Sequence, residues 1–277
     1  MAALQEVFPF HEHLPVVRKP AEVFTAFPSI ARVEGLFAGQ LESEIRYNRY
    51  RVSETKGEWV QILGPDVLFK THPHATAEHT FSVITTNEAY GNNLPDSFRT
   101  RLYIAPFIHD WGELKVDPKL WIGDVSYDKK TREDEEVEMR VFDKVLLHAV
   151  PQPDWQLLAS IYDEIVMDRN SPMGKIFNIA ERVGYMSTAI RAYLGHQGRR
   201  IENWQGLVGN VFSNQVAKFV QLRRDFPFID TFINENERII SAMLEETTSK
   251  PPCIDREETL SFDAQRLESA YAAWIRR

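Results

Sequence analysis

Apolar side chains recur every three or four residues along most of the chain beyond residue 76, and this spacing predicts amphipathic helices. Pro106 predicts a bend in one of them, Thr131 is placed to cap the start of another, and Ser171-Pro172 marks the start of a third. In chain order, the predicted helices cover 76–91, 96–112, 131–149, 154–168, 173–195, 204–224, 228–246 and the stretch from about 263 onward.

The N-terminal part of the chain follows a different pattern. Residues 1–45 combine many prolines and phenylalanines, which predicts an irregular arm packed on the core. Alternating residues on both sides of Lys56-Gly57 predict a small β-hairpin within residues 46–67. The main helical domain is expected over 68–246, followed by a linker and a C-terminal helix over 247–277. The predicted fold class is therefore all-α, with the hairpin as a minor addition.

The charge and the cysteine content exclude several classes of function. The chain has 277 residues and a net charge of -8, which argues against a protein that binds extended nucleic acid through its phosphates. Its single cysteine, Cys253, rules out an intrachain disulfide and a thiolate metal cluster. The chain carries no signal-peptide pattern and no apolar run of about 20 residues that would cross a membrane. A cytoplasmic protein that does not bind membranes is expected.

Histidine and carboxylate side chains carry the candidate chemistry, and three of them are placed to converge. His79 lies near the start of one predicted helix, and His109 and Asp110 lie near the end of the next. Two antiparallel helices joined by a short turn bring the beginning of the first beside the end of the second. We therefore predict that the three side chains form a metal site. The alternative is that each histidine is a hydrogen-bonded core residue, as a lone histidine on an apolar helix face usually is.

The donor atoms determine which metals suit this site. Imidazole and carboxylate groups without thiolate favour a divalent ion such as Mn, Co, Fe or Zn, and Mg is matched less well. Such an ion lowers the pKa of bound water to about 7 and polarises a phosphoryl oxygen. Glu113, one helical turn beyond His109, is placed to shuttle a proton or to orient that water. His72 and His74 are candidates to line the mouth of the site, and an exposed loop is the alternative for both.

Three segments, in this order, resemble the HD superfamily of metal-dependent phosphohydrolases, and within it the 5′-deoxynucleotidase-like branch. They are AEHTFSV (77–83), IHDWGE (108–113) and GDVSYDKKTREDEE (123–136). The resemblance extends over residues 68–195. It implies an HD-domain-like helical bundle that binds one divalent metal ion and releases phosphate from nucleoside 5′-monophosphates or related nucleotides.

The resemblance also implies which residues bind the metal. His79, His109 and Asp110 match ligand positions of the family, and Glu181 stands where the family has an aspartate as the fourth ligand. Glutamate is one methylene longer, so it either coordinates differently or holds the metal through water. The alternative for Glu181 is a solvated helix charge paired with a neighbour.

The family's two catalytic carboxylates and its phosphate-binding group have less regular counterparts here. Glu113 and Asp124 match the two carboxylates, but additional residues before Gly123 make Asp117 a competitor of Asp124. The family also places an arginine shortly before the first segment to bind phosphate. The nearby substitutes in this chain are Lys70, His72 and His74.

Two other classes of function are compatible with the same residues. A non-catalytic protein that binds nucleotide or metal would explain the glutamate at position 181 and the missing arginine. A di-iron oxygenase of the same superfamily would need further ligands, for which His72, His74 and Asp163 are candidates. The long apolar helices beyond residue 200 leave room for a homodimer interface.

Overall fold

All regular secondary structure in the described part of the chain is helical, which confirms the all-α prediction. The computed structural model describes residues 14–43, 73–120, 122, 130–195, 215–249 and 264–276, so the predicted hairpin within 46–67 lies outside the described residues. The α-helices are α1 (Val23–Ala26), α2 (Pro28–Ser43), α3 (Pro73–Ala89), α4 (Asp96–Ile108), α5 (Arg132–Ala149), α6 (Gln152–Ile161), α7 (Pro172–Gly195), α8 (215–222), α9 (Ile229–Ser249) and α10 (Ala264–Ile275). Short 3₁₀ turns cover Pro20–Glu22 and Trp111–Glu113, and a π-helical segment, Tyr162–Met167, continues α6.

The starts of two helices are fixed by the local hydrogen bonds that the sequence predicts. At α5, the Thr131 hydroxyl accepts from the backbone N–H of Asp134, and the Asp134 carboxylate accepts from the backbone N–H of Thr131 in return. At α7, the Ser171 hydroxyl accepts from the backbone N–H of Gly174 at 2.8 Å. Both predicted start signals are thereby confirmed.

Helix α4 is the centre of the bundle. Every residue at positions 100–108 is buried, and the helix contacts α2, α3, α6 and α7. A helix that is apolar on all sides is stable only inside a core. Pro106 lies within α4 and the helix continues to Ile108. The residues that follow α4 are consequently held by the core itself.

The N-terminal segment differs from the predicted irregular arm. Within residues 14–43 the chain forms the 16-residue helix α2, whose residues Ile30 and Val33 are fully buried. The helical spacing of these two residues and Phe37 outweighs the high proline content on which the prediction was based. The described part of this segment contacts the core, where the backbone N–H of Val17 donates to the Thr100 hydroxyl of α4 at 3.0 Å.

The C-terminal helices pack on one another. Helix α8 lies inside the predicted helix 204–224, and α9 extends past the predicted end at 246 to Ser249. The Trp274 indole of α10 donates to the Ser241 hydroxyl of α9 at 3.0 Å. Among the helices that the structure describes, none is long and apolar enough to span a membrane.

The core position of Tyr103 generates a prediction about alkaline stability. Burial raises the pKa of this phenol from 10.0 to about 12, Arg99 partly offsets the rise, and Glu88 and Glu22 add to it. The native state holds the phenolic proton more tightly than the unfolded chain does. Ionisation of Tyr103 therefore leaves the free energy of unfolding unchanged below pH 10 and lowers it between pH 10 and 12. The Tyr103→Phe variant has no phenol to ionise. In urea unfolding, wild type should therefore lose about 2 kcal/mol more than the variant between pH 9 and pH 11.5. Parallel losses would show that Tyr103 ionises normally.

Candidate functional site

The His109–Asp110 pair lies between two buried anchors. Ile108, the last residue of α4, and Trp111, the first residue of the following turn, are both buried. The Trp111 ring packs on Phe142 of α5 with ring centroids 6.0 Å apart. Neither end of the pair can therefore move without opening the core.

A close approach at Gly112 fixes the same turn against two other elements. A Cβ atom at position 112 would lie 2.6 Å from the Tyr162 hydroxyl oxygen, 2.9 Å from the Glu138 Cβ and 3.0 Å from the Glu138 carbonyl oxygen. Only glycine leaves room for these atoms. The turn that carries Glu113 is thus pressed against α5 and the π-helical segment.

The geometry of His109 leaves one ring nitrogen available beside a carboxylate. His109 Nδ1 lies 2.6 Å from the Pro106 carbonyl oxygen and donates to it, so Nε2 carries a lone pair when the ring is neutral. Nε2 lies 3.3 Å from Asp110 Oδ1, and the two side chains are only 12% and 14% exposed. Two lone pairs at this distance repel each other unless a proton or a metal ion lies between them. The negative end of the α4 dipole favours a cation at the same place.

His79 reaches this region from α3. It packs against Gly184 of α7, where an added Cβ would lie 3.1 Å from the His79 Cδ2 and 3.6 Å from its Nε2. Burial lowers the pKa of His79, and the positive charge of Arg191 lowers it further. The lowered pKa favours the neutral imidazole, which is the form that binds a metal.

Glu181 lies on the face of α7 that joins the two histidines. The Phe177 ring, four residues earlier, contacts His109 edge-on with centroids 5.8 Å apart, and Gly184, three residues later, contacts His79. Positions separated by three and four residues share a helix face. Glu181 therefore projects from the same strip of α7 that touches both rings.

The four predicted ligands fit a divalent metal in chemistry, since they supply two imidazoles and two carboxylates. In geometry, the structure brings His109 and Asp110 together and places His79 and Glu181 on adjoining helix faces. Among the described residues, however, no three His, Cys, Asp or Glu side chains form a group that could hold a metal ion. The structure thus places two potential metal ligands, His109 and Asp110, side by side. The other two potential ligands, His79 and Glu181, lie on the adjoining helices α3 and α7.

Glu113 lies beside a buried cation that the sequence analysis did not identify. Lys130 Nζ donates to Glu138 Oε2 at 2.6 Å, and their side chains are 16% and 4% exposed. Burial alone lowers the pKa of Lys130, but the negative charges of Glu138 and Glu113 outweigh burial and raise it overall. One signal was present in the sequence, because Glu138 falls within the apolar stripe of α5 with Val141 and Phe142.

The two candidates for the second catalytic carboxylate are in different situations. Asp117 accepts from the Lys144 ammonium through Oδ2 and from the backbone N–H of Lys119 through Oδ1 at 3.0 Å. The Lys144 hydrogen bond, followed by that of Lys119, lowers the pKa of Asp117. Asp117 thus ties the loop after Glu113 to α5, which weighs against a catalytic role. Asp124 lies outside the described residues.

Of the proposed phosphate-binding side chains, only His74 is described. Its Nε2 lies 3.0 Å from Glu34 Oε1, and its ring packs edge-on against Phe24 and Phe107, so it links α3 to the N-terminal segment. Lys70 and His72 lie outside the described residues.

Asp163, a candidate ligand for a di-iron site, lies in the π-helical segment. Burial and, second, the charge of Asp143 raise its pKa. His74 pairs with Glu34, and the like charge of Asp143 repels that of Asp163, so the described contacts link neither residue to His109.

No protein-family model matches this chain, and neither does any curated protein or solved structure. The interpretation of the site therefore depends on the chain's own residues and their geometry.

The close approach at Gly112 predicts a strong effect of a single methyl group. The Gly112→Ala variant should be destabilised by about 1–3 kcal/mol in urea unfolding, because the added Cβ overlaps Tyr162 and Glu138. Combining it with Tyr162→Phe should recover only part of the loss, since the contacts with Glu138 stay.

Gly35 of α2 provides the matched control, because a Cβ there meets no described atom within 4 Å. Gly35→Ala should raise stability by about 0.5–1 kcal/mol through helix propensity. If Gly112→Ala also gained stability, the turn would not be pressed against α5 as described.

Proposed function

We propose that this protein is a divalent-metal-dependent phosphohydrolase that releases phosphate from nucleoside 5′-monophosphates or related nucleotides. The observation that carries the proposal is the pair His109–Asp110, in which a ring nitrogen with a free lone pair faces a carboxylate oxygen at 3.3 Å. Metal-binding histidines in proteins generally donate their other N–H to a carboxylate, a backbone carbonyl or water, and His109 donates to the Pro106 carbonyl. The resemblance of residues 68–195 to the HD superfamily supports the same conclusion.

In the proposed site, His79, His109, Asp110 and Glu181 would hold the metal. The ion would polarise the phosphate and make a bound water acidic enough to react near neutral pH. The lowered pKa of His79 supports its role as a neutral ligand. The extra methylene of Glu181 gives its carboxylate a longer reach from α7 than the aspartate of the family.

The chain's own carboxylates would move the proton. Glu113 accepts a proton from the attacking water as its oxygen bonds to phosphorus, and the bond between phosphorus and the 5′ oxygen breaks. Asp124, protonated before the reaction, would donate a proton to the leaving 5′ oxygen, which becomes the nucleoside hydroxyl, and the proton taken up by Glu113 would then return through solvent to restore Asp124. Lys70, His72 and His74 would bind the phosphate before reaction.

A second candidate function is the binding of metal or nucleotide without catalysis. It is favoured by one observation, that no three ligands come together among the described residues. In this case the site would retain a ligand and release no phosphate. Measurements of binding and of turnover on the same sample separate the two candidates.

Metal removal should change stability through the predicted ligands. A metal bound at about 100 times its dissociation constant stabilises the native state by about 2.7 kcal/mol, so a chelator should lower the melting temperature of wild type by about 5 °C or more. Asp110→Ala should show almost no shift with chelator, because it has lost a ligand.

Asp143→Ala, a change at an exposed carboxylate of α5, is the control and should respond as wild type does. Equal shifts in all three proteins would place the metal elsewhere. Metal analysis of the same samples should find about one ion per chain, whereas two irons would favour the oxygenase alternative.

The role of Glu113 can be separated from metal binding. Glu113→Gln should lower phosphate release by about 10²–10⁴-fold while the metal content stays that of wild type, because the amide cannot accept the proton. The measurement is phosphate release from a panel of nucleotides with Mn, Co, Mg or Zn supplied.

Glu135→Gln, in the exposed first turn of α5, is the matched control and should retain full turnover. Wild type that binds metal and nucleotide but releases no phosphate from any member of the panel would exclude the phosphohydrolase and favour the second candidate.

A further inference from the structure

We propose that Lys130 is a positioning residue that holds the carboxylate of Glu113 in place, with Glu138 fixing Lys130 from the other side. The inference rests on the proposed function, in which Glu113 moves the proton. Its basis is a buried ammonium group located where the turn Trp111–Glu113 meets helix α5.

The backbone of Lys130 is held firmly. It directly precedes Thr131, whose side chain and backbone are both engaged in the capping box of α5. Its ammonium group donates to Oε2 of Glu138, which lies in the second turn of α5, at 2.6 Å. Lys130 is thus held at its backbone by the adjacent capping box and at its ammonium group by Glu138.

The turn that carries Glu113 contacts the same place. Glu138 presents its Cβ and carbonyl oxygen within 2.9 and 3.0 Å of where a Cβ of Gly112 would be, and Gly112 immediately precedes Glu113. The Glu113 carboxylate lies within Coulombic range of Lys130, and Arg169 adds a second positive charge from beyond the π-helical segment. Two cations and two carboxylates, contributed by different elements, therefore act on one another where the turn Trp111–Glu113 packs against α5.

A structural role does not account for this arrangement. Burying an ion pair gains little stability over packing apolar side chains in the same volume. The neighbouring pair Arg132–Glu136, at the start of the same helix, lies in solvent with side chains 90% and 62% exposed. The position of Lys130 is explained if its ammonium group attracts the Glu113 carboxylate and restricts the orientation of that carboxylate.

Two variants distinguish positioning of Glu113 from simple pairing with Glu138. Glu138→Gln keeps an acceptor for Lys130 and leaves Lys130 beside Glu113, so kcat should stay within about threefold of wild type. The double variant Lys130→Gln/Glu138→Gln replaces the ion pair with two amides that can bond each other, and kcat should fall by about tenfold or more with KM nearly unchanged. The single variant Lys130→Arg should retain most of the wild-type kcat, because it keeps the positive charge. Arg132→Gln, an equal change of charge two residues away, should leave kcat unchanged.

Equal kcat values for Glu138→Gln and the double variant would overturn the proposal, as would a double variant that changes KM alone, because Lys130 would then bind substrate.

A second measurement does not depend on turnover. In the Glu138→Gln background, Lys130→Gln and Glu113→Gln form a double-mutant cycle in the unfolding equilibrium constant, and we expect a coupling of about threefold or more. Additive effects would show that Lys130 does not act on Glu113. If wild type releases no phosphate from any nucleotide, the phosphohydrolase fails, and the cycle still decides whether Lys130 holds Glu113.

Discussion

The burial of helix α4 is the constraint on which the candidate site depends. Its residues at positions 100–108 are buried on all sides, so the core determines where the helix ends. The last carbonyl groups of a helix lack partners within it, and here the Pro106 carbonyl is satisfied by the His109 ring. The same bond that completes the helix end thus also selects the tautomer of His109 and directs Nε2 toward Asp110.

The charges buried around α4 connect it to the elements that complete the site. Arg101 of α4 donates to Glu164 at 2.6 Å and to Ser160 at 3.2 Å, which ties α4 to α6 and to the π-helical segment. That segment in turn supplies Tyr162, whose hydroxyl requires a glycine at position 112. π-Helical segments occur often at functional sites because they redirect side chains locally. Here the segment joins the buried arginine to the turn that carries Glu113.

Sequence reasoning predicted the features that depend on local pattern. The helices from α3 to α7, and the caps at Thr131 and Ser171, follow from periodicity and from side chains that bond their own backbone. Helix α2 was not predicted, since its prolines and phenylalanines obscured a short apolar repeat. The convergence of His79 with the end of α4 was inferred from two helices and a turn and stays a prediction, whereas the structure shows His79 in contact with Gly184 of α7.

Features that depend on contacts between distant segments could not be predicted. The need for glycine at position 112 arises from Glu138 and Tyr162, which are far away in sequence. Lys130 and Glu138 are only eight residues apart in sequence, so their pairing is local. The electrostatic interaction of Lys130 with Glu113 arises only when the turn Trp111–Glu113 packs on α5. The sequence shows which residues are charged, whereas tertiary packing determines which charged side chains lie close to one another.

The proposed ligands fall into two halves that are positioned by different forces. His109 and Asp110 are set by the end of one buried helix, whereas His79 and Glu181 depend on how closely α3 approaches α7 at Gly184. The Phe177 ring of α7 meets the His109 ring edge-on with centroids 5.8 Å apart, and Glu181 lies one helical turn further along the same face of α7. Glutamate extends one methylene further than aspartate. In the proposed site, the extra methylene would bring the carboxylate of Glu181 closer to the His109–Asp110 pair than an aspartate at the same position could.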